Sequence, residues 1–340
     1  MWANRVLCVA VVSLLAATAS AVQLKAVAVS PDRTTIAAGG AGGLVCVWDA
    51  KTGKKTHAFV AKAAVHGLGF VRDAKTLVVG TDGARVEVWT AGQTGYVQTK
   101  EFGSAEMLYG LAVSPDGNDL AISVNTGWVY FYNTNSWNQT GVLFESSNFI
   151  SALAFAPDGK SLATAGNSFS VWILGAGSKL RKPRGDRDFN EIKSTSLAAS
   201  RWNHRGGVPM QDSYCTDIAF SPDGKRVAGT TGVGRLYSGG KRVRLWEADT
   251  GKQVWEGRGT GMLSVAFTAD GRSVITGSDD GVLRVWNSSS SKLVRDWRGH
   301  GKAVRQIVPF TSATFVSAGE DGAVVLWDTE GKELIRFPTD

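Results

Sequence analysis

The chain holds 340 residues, 20% of them charged, with a formal net charge of +7 and three cysteines. That length exceeds the usual size of one globular core. The charge balance fits an acidic partner or an anionic surface better than a basic one, and past residue 21 no apolar run approaches the roughly 18 residues that a membrane-spanning helix needs.

The first 21 residues read as a secretory signal peptide. Met1 to Arg5 is a short basic start, Val6 to Ala17 is a largely apolar run, and Ala19-Ser20-Ala21 is a small-x-small cleavage site. The run is short for a bilayer span. The expected mature chain, residues 22–340, is an exported, single soluble domain in a periplasmic, lumenal or extracellular compartment. It keeps Cys46 and Cys215, which fall in nonadjacent repeats and read as small buried apolar residues, with no intramolecular disulfide.

From Leu24 onward one pattern recurs. Its clearest copy is Val265 to Gly271, then Ser273 to Thr276, then Asp280 to Trp286: apolar runs that end in Asp-Gly turns, closed by a run of alternating apolar residues. A period of two with turn punctuation predicts antiparallel strands. Asp-Gly suits such hairpins because both residues tolerate positive φ. Closing aromatics fall at Trp48, Trp89, Tyr132, Trp172, Trp246, Trp286 and Trp327, with gaps of 40 to 43 residues apart from one of 74. A period near 40 with four strands per unit is the signature of a propeller blade. The expected architecture is all-β, a seven-bladed β-propeller of four-stranded antiparallel blades. The blades span about 24–60, 65–102, 107–144, 149–182, 214–257, 262–298 and 303–337, with an insertion at 183–211.

The motifs carry a family resemblance. Ser30-Pro31-Asp32, Ser114-Pro115-Asp116-Gly117 and Ser221-Pro222-Asp223-Gly224, with Trp48-Asp49 and Trp327-Asp328, resemble the WD (tryptophan-aspartate) repeat family over residues 24 to about 337. In the last copy, Gly299-His300, Ser317, Asp321 and Trp327 resemble the family's buried hydrogen-bond tetrad. The sixth copy keeps Thr276, Asp280 and Trp286 without a Gly-His pair, and the first five lack a full tetrad, so those blades are expected to lean on apolar packing. No spare strand precedes Leu24, so ring closure is expected to rest on the first blade packing against the last.

Two segments break the ruler. The longer runs from about Arg181 to Gln211, and the shorter, Gly232 to Lys241, lengthens a hairpin. Outer-to-inner connections and second-to-third hairpins emerge on one side of the disc, so both insertions should crowd the face around the fourth and fifth blades. Residues 181–205 carry seven basic and three acidic side chains. Arg181, Lys182, Arg184, Arg187, Arg201, Trp202, His204 and Arg205 in the long segment, with Arg235 and Tyr237 in the hairpin, form the candidate contact set. Loops on a rigid scaffold are where binding usually resides, and an exposed Trp among arginines is a plausible anchor.

Catalytic signatures are absent. There is no His-Glu-x-x-His, Cys-x-x-Cys or Gly-x-Ser-x-Gly pattern, and His57, His66, His204 and His300 lack metal-ligand spacing. The relaxed phosphate-loop match at Ala154 to Ser161 opens a strand and carries Asp158 where phosphate would sit. Of the remaining aromatics, Trp255 and Trp297 are expected to half-cover outer blade edges, and Trp137 to sit in a turn. Asn138 and Asn287 head glycosylation sequons.

The resemblance implies a noncatalytic protein-protein interaction scaffold with no cofactor and no metal. The expected form is a monomeric propeller within a complex, binding a protein partner with an acidic surface and no nucleic acid. The alternative is a propeller enzyme or small-ligand binder, lactonase-like or quinoprotein-like, that uses the central channel. It would need carboxylates, histidines or a metal at the channel mouth, where the residues expected at the inner-strand starts, Met107, Phe149, Tyr214, Met262 and Ala303, are mainly apolar.

Overall fold

A computed structural model describes residues 22–83, 85–103, 106–144, 150–166, 169–174, 214–232 and 240–339. The expected signal peptide and residues 175–182 of the expected fourth blade lie outside the described residues.

The described chain is all strand apart from one short turn of helix. β1 (Leu24–Val29), β2 (Thr35–Gly40), β3 (Leu44–Asp49) and β4 (Lys55–Val60) form the first sheet. β5 (Val65–Val71), β6 (Thr76–Thr81), β7 (Arg85–Ala91) and β8 (Tyr96–Gly103) form the second. β9 (Leu108–Val113), β10 (Asp119–Val124), β11 (Trp128–Asn133) and β12 (Gln139–Phe144) form the third. β13 (Ile150–Phe155), β14 (Ser161–Gly166) and β15 (Phe169–Ile173) make a three-stranded sheet among the described residues. A seven-stranded sheet follows, made of β16 (Tyr214–Phe220), β17 (Arg226–Gly232), β18 (Gly240–Glu247), β19 (Gln253–Phe267), β20 (Ser273–Ser278), β21 (Val282–Asn287) and β22 (Leu293–Arg298). β23 (Val304–Pro309), β24 (Thr314–Gly319), β25 (Val324–Asp328) and β26 (Glu333–Phe337) complete the set.

All pairings are antiparallel between sequence neighbours, and the inner strands contact one another in turn: β1 with β5, β5 with β9, β9 with β13, β13 with β16, β16 with β19, β19 with β23, and β23 with β1. The fold is thus a β-propeller of four-stranded antiparallel blades. Closing a ring this way lets each sheet bury both faces, so the core is a series of joints rather than one centre.

In four blades the first turn owes its shape to side-chain hydrogen bonds. The Ser30, Ser114, Ser221 and Thr268 hydroxyls each donate at 2.6 Å to the carboxylate two residues on, Asp32, Asp116, Asp223 and Asp270. That carboxylate also accepts the backbone N–H two residues further along, at 3.0 Å in all four. The expectation that Asp and its neighbour share positive φ is corrected here. Only the residue after the Asp is left-handed, with φ of 71° at Gly117, 70° at Gly224 and 59° at Arg33. Asp is required as an acceptor, and Gly spares the turn the cost of a Cβ at positive φ.

The aromatics that close each unit fill the joints. Trp48 is fully buried, Trp246, Trp286 and Trp327 are buried, and Trp89 and Trp172 are part-buried. Burying such a side chain is worth about 2 kcal/mol or more. Trp255 is also buried, its Nε1–H donating to Ser288 O at 2.7 Å, so it belongs to a joint and does not half-cover an edge as expected. Trp137 is half-buried, 5.9 Å from the Phe102 ring. Cys46 and Cys215 are buried free thiols.

Two joints carry a matching polar link. The Val265 N–H on β19 donates to Asp217 Oδ2 on β16 at 2.8 Å, and the Val27 N–H on β1 donates to Gln306 Oε1 on β23 at 2.7 Å. Burial pushes the Asp217 carboxyl up to about 7, against the pull of N–H donors from Val265 and Ile218. An unfolded Asp titrates near about 3.9, so the folded state holds this proton more tightly. The stability that this proton contributes is present at acid pH and is lost as pH rises through about 7. The melting temperature of the wild type should therefore fall between about pH 5.5 and about pH 8 by more than that of Asp217→Asn, which cannot titrate. Parallel pH profiles for the two proteins would contradict this.

Candidate functional site

In the last blade the structure brings His300, Ser317, Asp321 and Trp327 together. His300 is 2% exposed; its Nδ1 lies 3.0 Å from Asp321 Oδ1 and its Nε2 2.7 Å from Ser317 Oγ. The Trp327 Nε1–H donates to the same Oγ at 2.8 Å, and Gly301 N–H donates to Asp321 Oδ2 at 2.8 Å. With the proton on Nδ1, donation runs without a break from Trp327 through Ser317 and His300 to Asp321. Burial alone would raise the Asp321 carboxyl, but hydrogen bonds from His300 and Gly301 hold it at about 2. The chain of bonds ties the loop before β23 to the hairpin before β25. Its work is structural, because every polar atom in it faces another.

Part of this relay recurs elsewhere. The Trp286 Nε1–H donates to Thr276 Oγ1 at 3.0 Å, and the Trp172 Nε1–H to Thr164 Oγ1 at 3.1 Å. The second blade solves the same problem with one residue that the repeat pattern did not single out. Glu87 is fully buried and accepts from Trp89 Nε1 and from Lys62 N, both at 2.9 Å. A single carboxylate thus links the closing Trp to the incoming loop. The expectation that the early blades rest on apolar packing is corrected for this one. The signal was present in the sequence as a Glu two residues before a closing Trp.

At the channel, every inner strand carries a β-bulge, and the bulged residue is Lys25, His66, Tyr109, Ser151, Thr216, Leu263 or Arg305. A bulge re-aims a side chain, which the alternating pattern could not show. The apolar starts expected there sit elsewhere: Met262 and Ala303 are buried, and Met107 precedes β9. Several bulged residues reach the next blade. Ser151 Oγ donates to Cys215 O at 2.6 Å, Thr216 Oγ1 to Met262 O at 3.2 Å, and Lys25 Nζ lies 3.5 Å from His66 Nε2. His66 Nε2 is also 2.6 Å from Asp82 Oδ1, yet burial, aided by Lys25, keeps its pKa below the usual value. These groups serve the joints. Among the described residues no cluster of three His, Cys, Asp or Glu could hold a metal ion.

A cleft of about 950 Å³ separates the turns after β13 and β16, lined by Asp158, Ser161, Asp223 and Lys225 among others. Asp158 there accepts the Lys160 N–H at 2.9 Å, as in the other blade turns, so the phosphate-loop look-alike is a hairpin turn.

The contact set expected on the insertions, Arg181, Lys182, Arg184, Arg187, Arg201, Trp202, His204, Arg205, Arg235 and Tyr237, lies outside the described residues. The structure does describe where both segments meet the sheet. Tyr214 pairs with Gly232 and Thr231 with Arg242, so the described residues flanking both segments lie at one end of the same sheet. That end is basic. Glu256 on β19 lies 3.0 Å from Arg242 Nη1 and 3.0 Å from Arg244 Nε, with Arg258 Nε at 3.9 Å. Burial would raise Glu256, but Arg244 and Arg242 bring it below its ordinary value. Arg258 is 82% exposed, so part of the cluster's charge faces solvent.

Four segments, 8–49, 137–173, 251–287 and 291–328, match the family described as WD domain, G-beta repeat. Each match ends one residue past a closing Trp, and the first begins inside the segment read as a signal peptide. The chain is 24% identical over 183 residues to a guanine nucleotide-binding protein subunit beta of Saccharomyces cerevisiae, covering 49% of this chain and 43% of that protein. It is 25% identical over 125 residues to the target of rapamycin complex subunit wat1 of Schizosaccharomyces pombe, covering 36% of this chain and 37% of the relative. It is 29% identical over 160 residues to autophagy-related protein 16 of Arabidopsis thaliana, covering 45% and 28% respectively. The chain thus spans less than half the length of these relatives. No helix among the described residues is long and apolar enough to cross a membrane.

The buried Glu87 relay yields a stability test. Glu87→Ala leaves two part-buried donors without their acceptor and should cost about 1–3 kcal/mol, read from the denaturant midpoint, while Glu87→Gln keeps one acceptor and should cost about half as much. Equal midpoints for Glu87→Ala and the wild type would show that the carboxylate does not hold the second blade.

Proposed function

We propose that this WD-repeat protein is an exported, noncatalytic scaffold that binds a protein partner with an acidic surface through the face around its fourth and fifth blades. The ring is read as seven blades, with β19 counted both as the outer strand paired to β18 and as the inner strand paired to β20. Register supports that count, because β19 switches partners at Met262.

The single observation that carries the reading is that the described residues flanking both departures from the repeat lie at one end of one sheet, where Arg242, Arg244 and Arg258 surround Glu256. The relatives support the general role, since two of them are by name subunits, of a guanine nucleotide-binding protein and of the target of rapamycin complex. A rigid ring positions loops without moving, which lowers the ordering cost of binding. Arginine at the base of the loops suits a carboxylate-bearing surface because its planar fork can hold both oxygens at once. Scaffold proteins of this kind work as one ring within a larger complex, and a monomeric ring is the form proposed here. The basic start and apolar run of residues 1–17 support export.

Replacing residues 183–208 with a short linker tests the face. In pull-downs from the native host, the wild type should retain a partner that the loop-replaced protein loses, with the melting temperature of the ring unchanged. A partner retained equally by both proteins would move the binding surface off this face.

A further inference from the structure

At every other joint the polypeptide itself runs from one blade into the next. Between the sheet of β23–β26 and the sheet of β1–β4 it does not, and neither sheet borrows a strand from the other. What closes this seam is a shared core, in which Leu24, Val27, Ile36 and Trp48 meet Val316, Leu326 and Phe337, together with the Val27 to Gln306 hydrogen bond.

One bond at this seam is rerouted. Ser317, Thr276 and Thr164 sit at the same register position of their second strands, and each accepts from the closing Trp of its own blade. In the first blade Ala38 holds that position, opposite Cys46, and offers no hydroxyl. The Trp48 Nε1–H crosses the seam instead and donates to Pro338 O at 2.7 Å. Around it, the Phe337 ring lies 5.8 Å from Trp48, Thr339 Oγ1 donates to Gly322 O at 3.0 Å, and Thr339 O lies 4.0 Å from Cys46 Sγ.

We propose that Pro338 and Thr339 form a strap that holds the ring shut at this seam, and that its release opens the ring here first and uncovers the Cys46 thiol. Among the described residues no strand is exchanged across this seam, and the strap holds it instead. It is short, pinned among the described residues by the Trp48 and Thr339 hydrogen bonds and a weak contact from the Cys46 thiol, whereas the other joints are spanned by continuous chain. Cys46 is 2% exposed, so a thiol reagent reaches it only when the strap lifts. Cys215, buried equally at 2% in the joint between β13 and β16, reports openings elsewhere.

The test is N-ethylmaleimide labelling of the full native chain, followed peptide by peptide by mass spectrometry. Trp48→Phe removes the donor while keeping an aromatic against Phe337, and Thr339→Ala removes the bond to Gly322 at a half-buried site where folding is not at risk. Each should raise the Cys46 labelling rate about fivefold, the weight of one ordinary hydrogen bond, with Cys215 unchanged. If Cys46 labels at the wild-type rate in both variants, or if Cys46 and Cys215 accelerate together, the strap does not govern the seam.

Discussion

A blade with two apolar faces has no stable existence until both are covered, and that constraint organises the whole chain. Each closing aromatic, each bulged inner strand and each inter-blade hydrogen bond serves a joint. The hydrophobic term is spread around the circle, so no single cluster is the core. What makes one arrangement unique is the polar part of each joint, since buried donors must be met wherever they fall. The indole N–H of the closing Trp is the recurring case. It is met by a hydroxyl in three blades, by Glu87 in the second and by a backbone carbonyl across the seam in the first.

These solutions differ in strength. The Trp327 relay ends on a carboxylate that also accepts two backbone N–H groups, from Gly301 and Ala323, and so fixes loop, hairpin and sheet at once. Glu87 makes the same connection with one side chain, at the expense of burying a carboxyl group whose hydrogen bonds offset part of the cost. The first blade leaves the connection to Pro338 and Thr339. The ring therefore runs from a heavily bonded last blade to a lightly pinned seam beside it, and local opening is expected to follow that gradient.

Much of the fold was legible in the sequence, for physical reasons. The spacing of Asp32 to Trp48 or of Asp270 to Trp286 reflects the fixed length of two strands and a turn, so the ruler reads the strands directly. The last blade was expected to end at about residue 337, and β26 (Glu333–Phe337) ends there. Single residues were harder. Trp255 reads as an edge residue because the outer strand looks half-polar, yet its neighbour blade covers it. The bulged Lys25 and His66 break the alternation by one residue, which is invisible to a pattern of period two. Glu87 offered a charge in a buried strand, and only the geometry shows that two donors await it.

The functional reading rests on what interrupts the repeat. The repeat keeps its period within three residues elsewhere, the described residues flanking its two breaks lie at one basic edge, and loops on a rigid scaffold are where binding usually resides. Hydrogen exchange of the full chain, alone and bound to its captured partner, tests this most directly. The account predicts new protection confined to residues 181–241 and to the adjoining Arg242 to Arg258 edge, with the other blades unchanged. Protection gained at the channel bulges or on the opposite turn face, with 181–241 unaffected, would contradict it.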